Sequence, residues 1–333
     1  HLFGMNTKGF NVVQQQKLTA SDGAENKIFG RSVSLYEDYA LIGSSWDDPG
    51  GSAYIFKRNG SIWNQQQKIR ASDGVAYDKF GSSVSIYEDY AIIGAYDDDN
   101  DSGSAYIFKR NGSKWNQQQK LIPSDGADND EFGYSVSLYE DYALIGSRYC
   151  DGNENNSGAA YIFKRNGSTW SQQQKLTSSD GANGDLFGSE VSLYGDYALI
   201  GSRMDDDIAN SSGTAYIFKR TGSKWNQQQK LLASDGAWGD YFGWAVSLFK
   251  DYALVGAALA DNPGDSGSAY IFKRNGSTWT EQQKLTASDG ASLDYFGISV
   301  NLYEDYALIG AYGDDSDSGS AYIFKRNGSI WTQ

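Results

Sequence analysis

Histidine and cysteine are almost absent from this sequence, whose 333 residues include only His1 and Cys150. A Ser–His–Asp triad or a Cys–His pair needs a histidine held beside the nucleophile, and zinc sites take several histidine or cysteine ligands. A lone cysteine cannot form a disulfide within the chain. The sequence therefore predicts no catalytic residues and excludes a disulfide framework.

Proline, long apolar segments and basic residues are also scarce. There are three prolines, hence no proline-rich linker, and no apolar run reaches the roughly 18 residues of a membrane-spanning helix. The 42 acidic residues outnumber the 28 basic ones, which gives a net charge of −14 and a pI of about 4.5. Phosphate binding needs clustered Lys and Arg, so nucleic acid is not an expected partner, whereas cations are favoured.

One sequence unit is repeated six times along the chain. It opens with Phe-Gly, continues through Val-Ser-Leu-Tyr-Glu-Asp-Tyr-Ala-Leu-Ile-Gly and Gly-Ser-Ala-Tyr-Ile-Phe-Lys-Arg-Asn-Gly-Ser, and ends with Trp-Asn-Gln-Gln-Gln-Lys-Leu and Ala-Ser-Asp-Gly-Ala. Such self-similarity is typical of units that bury their faces on one another, so we predict one domain over residues 1–333. The copies lie 51 to 55 residues apart and begin at Phe29, Phe80, Phe132, Phe187, Phe242 and Phe296.

Each unit reads as four short strands rich in β-branched and aromatic residues, here at 32–35, 39–43, 52–57 and from Trp63 onward. The second and third strands are almost wholly apolar, the first alternates with small serines, and the fourth is rich in glutamine. That gradient is typical of a propeller blade, from the central axis to the rim. We therefore predict an all-β fold, a single six-bladed β-propeller of four-stranded antiparallel blades; the alternative is part of a seven-bladed or longer propeller.

The chain opens with an outer strand, residues 9–18, that has no inner strands before it. We predict that this strand closes the ring by joining the last blade. The end of the chain, Trp331 to Gln333, is equivalent to Val12 to Gln14, so the two ends compete for one position. A displaced terminal segment would allow self-association through terminal strands.

The Phe-Gly opening, the Ala-Leu-Ile-Gly centre, the Asp-rich loop and the Gln-Gln-Lys-Leu-Thr-Ala-Ser-Asp-Gly-Ala segment together resemble FG-GAP repeats. The resemblance covers residues 12–333 and implies a β-propeller of the kind found in integrin α-subunit heads and in many secreted or surface proteins. Two departures limit it. The calcium loop that integrin-type blades carry between their first two strands is shortened here to Tyr-Glu-Asp-Tyr, and the family's Gly-Ala-Pro lacks its proline.

Strand direction places the loop before each first strand and the loop between the second and third strands on one face of the propeller. Only the second of these loops varies in length, and it carries clustered aspartates. Calcium takes six to eight oxygens from flexible loops, so calcium is a possible cofactor, with the alternative of a solvated acidic loop. The candidate ligands are Asp97, Asp98, Asp99, Asp101, Asp205, Asp206, Asp207, Asp314, Asp315 and Asp317. The aspartate of each Ser-Asp-Gly is interpreted as a turn residue.

Eight Asn-x-Ser sequons predict glycosylation and an extracellular location, secreted or at the cell surface. Five belong to the repeated Asn-Gly-Ser turn, where duplication of a favourable turn is the alternative explanation. The sequon asparagines are Asn59, Asn100, Asn111, Asn155, Asn166, Asn210, Asn275 and Asn327.

Tryptophan recurs at the start of each fourth strand, where packing between blades explains it. Trp46 and Trp238 break this pattern and lie in loops of the acidic face, so we predict that they contact a protein or glycan there.

Uniform repetition disfavours a unique active site. We predict a non-enzymatic secreted or cell-surface propeller for adhesion or extracellular structural assembly. The alternatives are a multivalent lectin-like module and, more distantly, a glycosidase that uses paired carboxylates.

Overall fold

The computed structural model describes residues 14–260 and 264–333, and the backbone alone at 316 and 317. It contains six four-stranded antiparallel sheets, each with its strands in chain order. The six-bladed β-propeller predicted from the sequence is confirmed. The strands are β1 (Phe29–Tyr36), β2 (Tyr39–Ser44), β3 (Ser52–Asn59), β4 (Ile62–Ile69), β5 (Val84–Tyr87), β6 (Tyr90–Ala95), β7 (Ser104–Asn111), β8 (Lys114–Leu121), β9 (Phe132–Tyr139), β10 (Tyr142–Ser147), β11 (Ala159–Asn166), β12 (Thr169–Leu176), β13 (Phe187–Tyr194), β14 (Tyr197–Ser202), β15 (Thr214–Thr221), β16 (Lys224–Leu231), β17 (Phe242–Phe249), β18 (Tyr252–Ala257), β19 (Ser268–Asn275), β20 (Thr278–Leu285), β21 (Ser299–Tyr303), β22 (Tyr306–Ala311), β23 (Ser320–Asn327) and β24 (Ile330–Thr332).

Two single helical turns lie in the variable loops, α1 (Asp98–Asp101) in the second blade and α2 (Asp314–Asp317) in the sixth. The sequence predicted no helix because four residues cannot display a helical period. Among the described residues, no helix has the length and apolar character needed to cross a membrane.

Consecutive blades approach so closely that glycine is required between them. A Cβ on Gly43 in β2 would lie 2.0 Å from the carbonyl oxygen of Gly81 in the next blade. The serines of the inner strand make the same join polar, since Ser32 Oγ donates to the Gly81 oxygen at 2.9 Å and the Ile86 amide donates to Ser34 Oγ at 3.1 Å. Small residues near the axis are therefore explained by the backbone of the next blade.

The outer strands are joined by glutamine side chains. Gln67 in β4 donates to the Trp115 carbonyl oxygen at 2.7 Å and accepts from the Trp115 amide at 2.8 Å. The Trp115 ring is buried against Tyr39 of the preceding blade, with centroids 5.8 Å apart. The predicted packing role of the recurring tryptophans is thus confirmed, and the glutamines have a structural role as well.

The boundary between the sixth and first blades differs from the other five. Val33 and Leu35 in β1 are 69% and 67% exposed, whereas Val84 and Ile86, their counterparts in β5, are 8% and 4% exposed. On the sixth blade, Leu308 is 46% exposed, while Leu254 in the fifth is fully buried. The described residues of the sixth and first blades therefore do not bury these positions as neighbouring blades do elsewhere.

The predicted closing strand falls partly outside the described residues, which begin at position 14. Residues 14–18 form no strand, but Gln16 makes the same two bonds to Trp63 that Gln67 makes to Trp115, both at 2.8 Å. This segment thus occupies the place of an outer strand preceding the first blade. At the other end, Gln333 Nε2 donates to Ser288 Oγ at 2.9 Å. Closure of the ring by residues 9–18 stays a prediction.

Candidate functional site

The face that carries the variable loops, here called the loop face, is held by a recurring network of acid, tyrosine and lysine. In the fourth blade, the Tyr216 hydroxyl donates to Asp180 at 2.9 Å and to buried Asp205 at 2.7 Å. The Lys230 ammonium lies 2.8 Å from Asp180 and 3.5 Å from Asp205. The network ties the Ser-Asp-Gly loop and the variable loop to the outer two strands.

The aspartate of Ser-Asp-Gly lies in a turn, as the sequence suggested, since the Gly23 amide donates to the Ala20 carbonyl oxygen at 3.2 Å, and it has a second role as well. Its carboxylate binds Tyr and Lys of the blade that follows, and its pKa is lowered in five copies. For Asp180, burial alone would raise the pKa, but the Lys230 ammonium and the Tyr216 hydroxyl outweigh it. For Asp22, the Lys68 ammonium is the largest cause of the lowering.

Two blades carry natural variants of the buried loop aspartate. Cys150 occupies its place in the third blade, with Sγ 3.3 Å from the Tyr161 hydroxyl, and Ala260 occupies it in the fifth. Burial raises the pKa of the Cys150 thiol, which disfavours the reactive thiolate. The lone cysteine is thus a structural replacement for an aspartate.

The predicted calcium ligands do not converge. Among the residues that the structure describes, no three His, Cys, Asp or Glu side chains are placed to hold a metal ion. Asp98 binds Tyr106 and Lys120, Asp205 binds Tyr216 and Lys230, and Asp314 accepts from Tyr322 at 2.7 Å.

The remaining predicted ligands are committed elsewhere or stand apart. Asp99 and Asp207 pair with lysines, Asp206 accepts from the Ser211 amide, and the Asp315 amide donates to Asp314. Asp97 is half-buried, Asp101 is exposed, and the side chain of Asp317 lies outside the described residues. Lysine ammonium groups thus occupy the positions in these loops where a metal cation would bind. Calcium binding stays a prediction.

All eight sequon asparagines are exposed, which is the accessibility that glycosylation requires. In the Asn-Gly-Ser turns only the glycine has positive φ, for example 64° at Gly60. A glycine at the first central position is the type II′ requirement. The asparagine is therefore not demanded by the turn.

A second feature of the loop face is a set of strained residues around the axis. The residue before each Phe-Gly has positive φ, between 50° and 60°, although none is a glycine. Non-glycine residues rarely adopt this conformation, and strained positions cluster at functional sites. These six residues differ in chemistry while their surroundings repeat; they are Ile28, Lys79, Glu131, Leu186, Tyr241 and Tyr295.

We call the loop-face end of the axis the mouth. It is formed by these strained residues, by the residues that follow each Phe-Gly and by the residues at the start of each variable loop. Where the first and second blades meet, the ammonium group of the buried Lys79 lies 3.2 Å from the centroid of the Trp46 ring. In the third blade, the Arg148 guanidinium lies 3.7 Å from the centroid of the Tyr134 ring and its Nε lies 2.6 Å from Glu131.

The mouth continues into the fourth, fifth and sixth blades. The Arg203 guanidinium lies 4.4 Å from the Trp244 ring, and its buried Nε has no hydrogen-bond partner among the described residues. Tyr295 and Tyr312 stack with centroids 4.8 Å apart and rings inclined by only 10°. The mouth therefore combines cations with aromatic rings, and the residues that do so differ from one blade to the next.

Two acids at the mouth have raised pKa values. Burial, with Asp101 and Glu131 nearby, raises the pKa of Asp97 to about 6. Burial raises the pKa of Glu190 to about 8 despite the neighbouring Arg203. On a chain of strongly negative charge, the mouth is therefore a place where negative charge is suppressed and arginine and lysine are gathered.

The structure separates the two predicted ligand contacts. Trp46 is half exposed and belongs to the mouth through Lys79, whereas Trp238 is 76% exposed in the loop before the fifth blade. Sequence reasoning missed the rest of the mouth. The signal was available, because variable residues next to the invariant Phe-Gly are the places where six copies of one unit have diverged.

Comparison with known proteins gives a family match over most of the chain. The FG-GAP repeat model matches six stretches, residues 12–56, 63–108, 115–163, 170–218, 225–272 and 279–324. The second to sixth stretches each start in an outer strand and end in the third strand of the next blade, and the first stretch ends in the third strand of the first blade. The six repeats predicted from the sequence are therefore confirmed.

The fold is similar to two solved structures, both provisionally assigned as 6-phosphogluconolactonases. The one from Bacteroides fragilis has a TM-score of 0.60 and 11% identity, covering 91% of this chain and 82% of that one. The one from Bacteroides uniformis has a TM-score of 0.59 and 11% identity, covering 91% of this chain and 83% of that one. At such identity the likeness shows the propeller fold alone.

Proposed function

Because the chain belongs to the FG-GAP repeat family, we propose that it is a non-enzymatic, secreted or cell-surface propeller that acts in adhesion or extracellular structural assembly. The observation that carries the proposal is the pair of exposed apolar faces on the first and last blades. Val33 and Leu35 lie on one of these faces and Leu308 on the other. At every other boundary the equivalent side chains are largely buried.

The two faces are complementary because consecutive blades already pair in this way. The Leu302 amide donates to Ser247 Oγ at 2.9 Å where the fifth blade meets the sixth. On the sixth blade, the equivalent of Ser247 is Asn301, whose side-chain oxygen offers an acceptor to the Leu35 amide of a first blade. The last blade of one copy therefore fits the first blade of another, and head-to-tail contacts of this kind build chains of subunits.

The exterior supports an extracellular setting. All eight sequon asparagines are exposed, and five of them line the face opposite the loops. The half-exposed Trp46 at the mouth supports ligand contact as a second property of an adhesive protein. The buried acids of the variable loops, such as Asp98 and Asp205, are bound to lysines and tyrosines, which favours a structural role for them over acid–base catalysis.

Sedimentation velocity over a range of protein concentrations tests assembly. We expect the wild type to form concentration-dependent oligomers, and Val33→Asp or Leu308→Asp alone to give monomers, since every copy then lacks one partner face. A mixture of the two variants should form dimers and nothing larger, because one intact face of each kind remains. Ile122→Asp alters an apolar residue that is 59% exposed but lies elsewhere, and should assemble like the wild type.

A wild type that stays monomeric at every concentration would contradict the assembly proposal. Dimers formed by each single variant on its own would also contradict it. Intramolecular closure of the ring gives the first of these results.

A lectin-like module is the second candidate, favoured by the exposed indole rings of Trp46 and Trp238. Aromatic faces stack on sugar rings, and sites on several blades would give avidity. A glycan array in the presence of calcium should show binding that Trp46→Ala and Trp238→Ala reduce. A blank array, or binding that both variants retain, would argue against this candidate.

A further inference from the structure

The end of the axis opposite the mouth is encircled by six aromatic side chains, which we call the collar. Each is the last residue of an inner strand, and each of the first five rings packs on the ring of the next blade. The centroid distances along the series are 4.9, 5.0, 4.9, 5.1 and 5.3 Å, with the rings tilted by 46° to 56°. The collar residues are Tyr36, Tyr87, Tyr139, Tyr194, Phe249 and Tyr303.

The collar rings are in contact in series from the first blade to the sixth, and Tyr36 and Tyr303 at the two ends of the series interact electrostatically. Burial raises the pKa of the Tyr36 hydroxyl, with contributions from Glu37, Glu88 and the Tyr303 hydroxyl. Burial likewise raises the pKa of Tyr139 to about 12, with neighbouring tyrosines and Glu140 adding to the effect. The hydroxyl groups therefore converge in a setting that disfavours further negative charge.

A rim of carboxylates follows the collar, because a glutamate comes next in four of the six blades. The aspartate after it is neutralised in every blade by an arginine of the neighbouring hairpin, as in the Arg58–Asp38 pair at 2.7 Å. The glutamates have no salt-bridge partner among the described residues. The four are Glu37, Glu88, Glu140 and Glu304, and each extends from a backbone with φ between 50° and 52°.

The fifth blade shows what this arrangement attracts. There the glutamate is replaced by Lys250, whose ammonium lies 5.0 Å from the centroid of the Phe249 collar ring. Aromatic faces attract cations within about 6 Å of the centroid. Beside it lies a cleft of about 560 Å³ whose lining contains both acidic and basic side chains; it is lined by Phe249, Lys250, Asp251, Tyr252, Lys273, Glu304, Asp305 and Arg326.

We propose that the collar and its glutamate rim are a binding site for a compact organic cation, an ammonium or guanidinium group. Aromatic rings supply the cation–π attraction, the unpaired glutamates supply opposite charge, and Lys250 is the chain's own cation in one sixth of the ring. The site is distinct from the mouth and does not depend on the assembly proposed above. The cation can belong to a small molecule or to a lysine side chain of a partner.

Calorimetric titration with tetramethylammonium chloride tests the site, with tert-butanol as the neutral probe of similar shape. We expect the cation to bind and the alcohol not to bind. Lys250→Glu removes the internal competitor and adds a carboxylate, so it should tighten binding about two- to fivefold. Lys224→Glu makes the same change of charge at an exposed outer position of the same face and should leave the affinity unchanged.

Collar variants identify the rings themselves. Tyr139→Phe keeps the aromatic face and should retain binding, whereas Tyr139→Leu should weaken it by about two- to fivefold. Circular dichroism establishes that both variants fold, and the Lys250→Glu result stands independently if the leucine variant does not.

A second arm identifies the source of the cation. Binding of oligolysine but not of its acetylated form, at an affinity above that of tetramethylammonium, assigns the site to partner lysines, and the opposite order assigns it to small molecules. Equal affinity for tetramethylammonium and tert-butanol would overturn the proposal. So would equal tightening by Lys250→Glu and Lys224→Glu, since that is general electrostatic attraction.

Discussion

At the scale of single residues, Glu190 stands out because it replaces a serine that elsewhere joins two blades. Ser32, Ser83 and Ser135 each donate to a glycine carbonyl of the next blade. Burial of the Glu190 carboxyl disfavours its ionised form, so its pKa rises to about 8 despite the neighbouring Arg203. The mouth thus contains an acid that holds its proton near neutral pH.

The raised pKa of Glu190 makes the free energy of unfolding depend on pH, and the direction of that dependence follows from the shift. Between the ordinary glutamate pKa of 4.5 and the folded value of about 8, the unfolded chain has released a proton that the folded chain keeps. Stability therefore falls as pH rises through this interval. Urea unfolding at pH 5 and pH 8 should show the wild type losing about 1–3 kcal/mol more than Glu190→Gln, the low end being favoured by partial exposure. Equal losses would show that Glu190 is ionised throughout.

The buried loop aspartates provide a second test at this scale. Asp205→Ala removes an acceptor from Tyr216 and an ion partner from Lys230, so we expect it to lower the free energy of unfolding by about 1–3 kcal/mol. Asp180 retains bonds to both groups, and Ala260 shows that a blade tolerates the loss. Asp206→Ala, which removes a bond from an exposed turn in the same loop, should cost less. A similar cost for both would make burial of Asp205 irrelevant.

At the scale of strands, neighbouring outer strands are joined by glutamine side chains where a closed sheet would use backbone bonds. Gln119 donates to the Trp170 carbonyl oxygen at 2.7 Å and accepts from its amide at 2.9 Å. Gln119→Ala leaves both backbone groups without this partner, so we expect urea unfolding to show a loss of about 1–3 kcal/mol. Gln118→Ala alters the adjacent residue, whose buried Oε1 has no hydrogen-bond partner in the part of the chain that the structure describes, and should cost less. A larger loss of stability in Gln118→Ala than in Gln119→Ala would contradict a role of Gln119 in joining the outer strands.

The strands were predictable from the sequence because each follows a local pattern repeated six times. Apolar runs ending in Gly, such as the one at Gly43, specify buried strands, and the glycine after each third strand specifies the tight hairpin. Phe29 extends the first strand beyond its predicted start because it pairs with Ser44 across a bulge, which no alternation reveals. The aspartate clusters that predicted calcium sites surround the ammonium groups of Lys120 and its equivalents, which are distant in sequence and could not be read from the loop alone.

The mouth and the collar illustrate the two ways in which sequence reasoning fell short. The mouth depends on which side chains meet at the axis, and that follows from blade packing rather than from any one repeat. In the sequence the collar appears as an aromatic residue two positions before a recurring aspartate, but its meaning depends on six blades converging. Both would be found by asking where repeats diverge and where they place identical residues around one axis.

At the scale of the whole molecule, the recurring ion pairs should govern how stability depends on acidity. Five Ser-Asp-Gly aspartates, among them Asp22 and Asp180, have pKa values lowered from 3.8 by lysine and tyrosine partners. Each contributes stability above its unfolded pKa and loses it as pH falls toward the folded value. We therefore expect the free energy of unfolding to decrease steeply below about pH 4.

Groups with raised pKa values act in the opposite direction at higher pH. Burial raises the pKa of Asp78, Asp130 and Asp185, and sets those of Asp97 and Glu190 at about 6 and about 8. The folded chain binds these protons before the unfolded chain does, so stability rises as pH falls from 8. The two sets together predict a maximum near pH 5, about midway between the two kinds of shift. Chemical denaturation from pH 2.5 to 9 measures this profile, with Glu190→Gln flattening only its alkaline limb and Asp205→Ala leaving that limb intact. A maximum above pH 7 would mean that the buried acids are ionised in the folded protein and that the lysine pairs alone determine its response to acid.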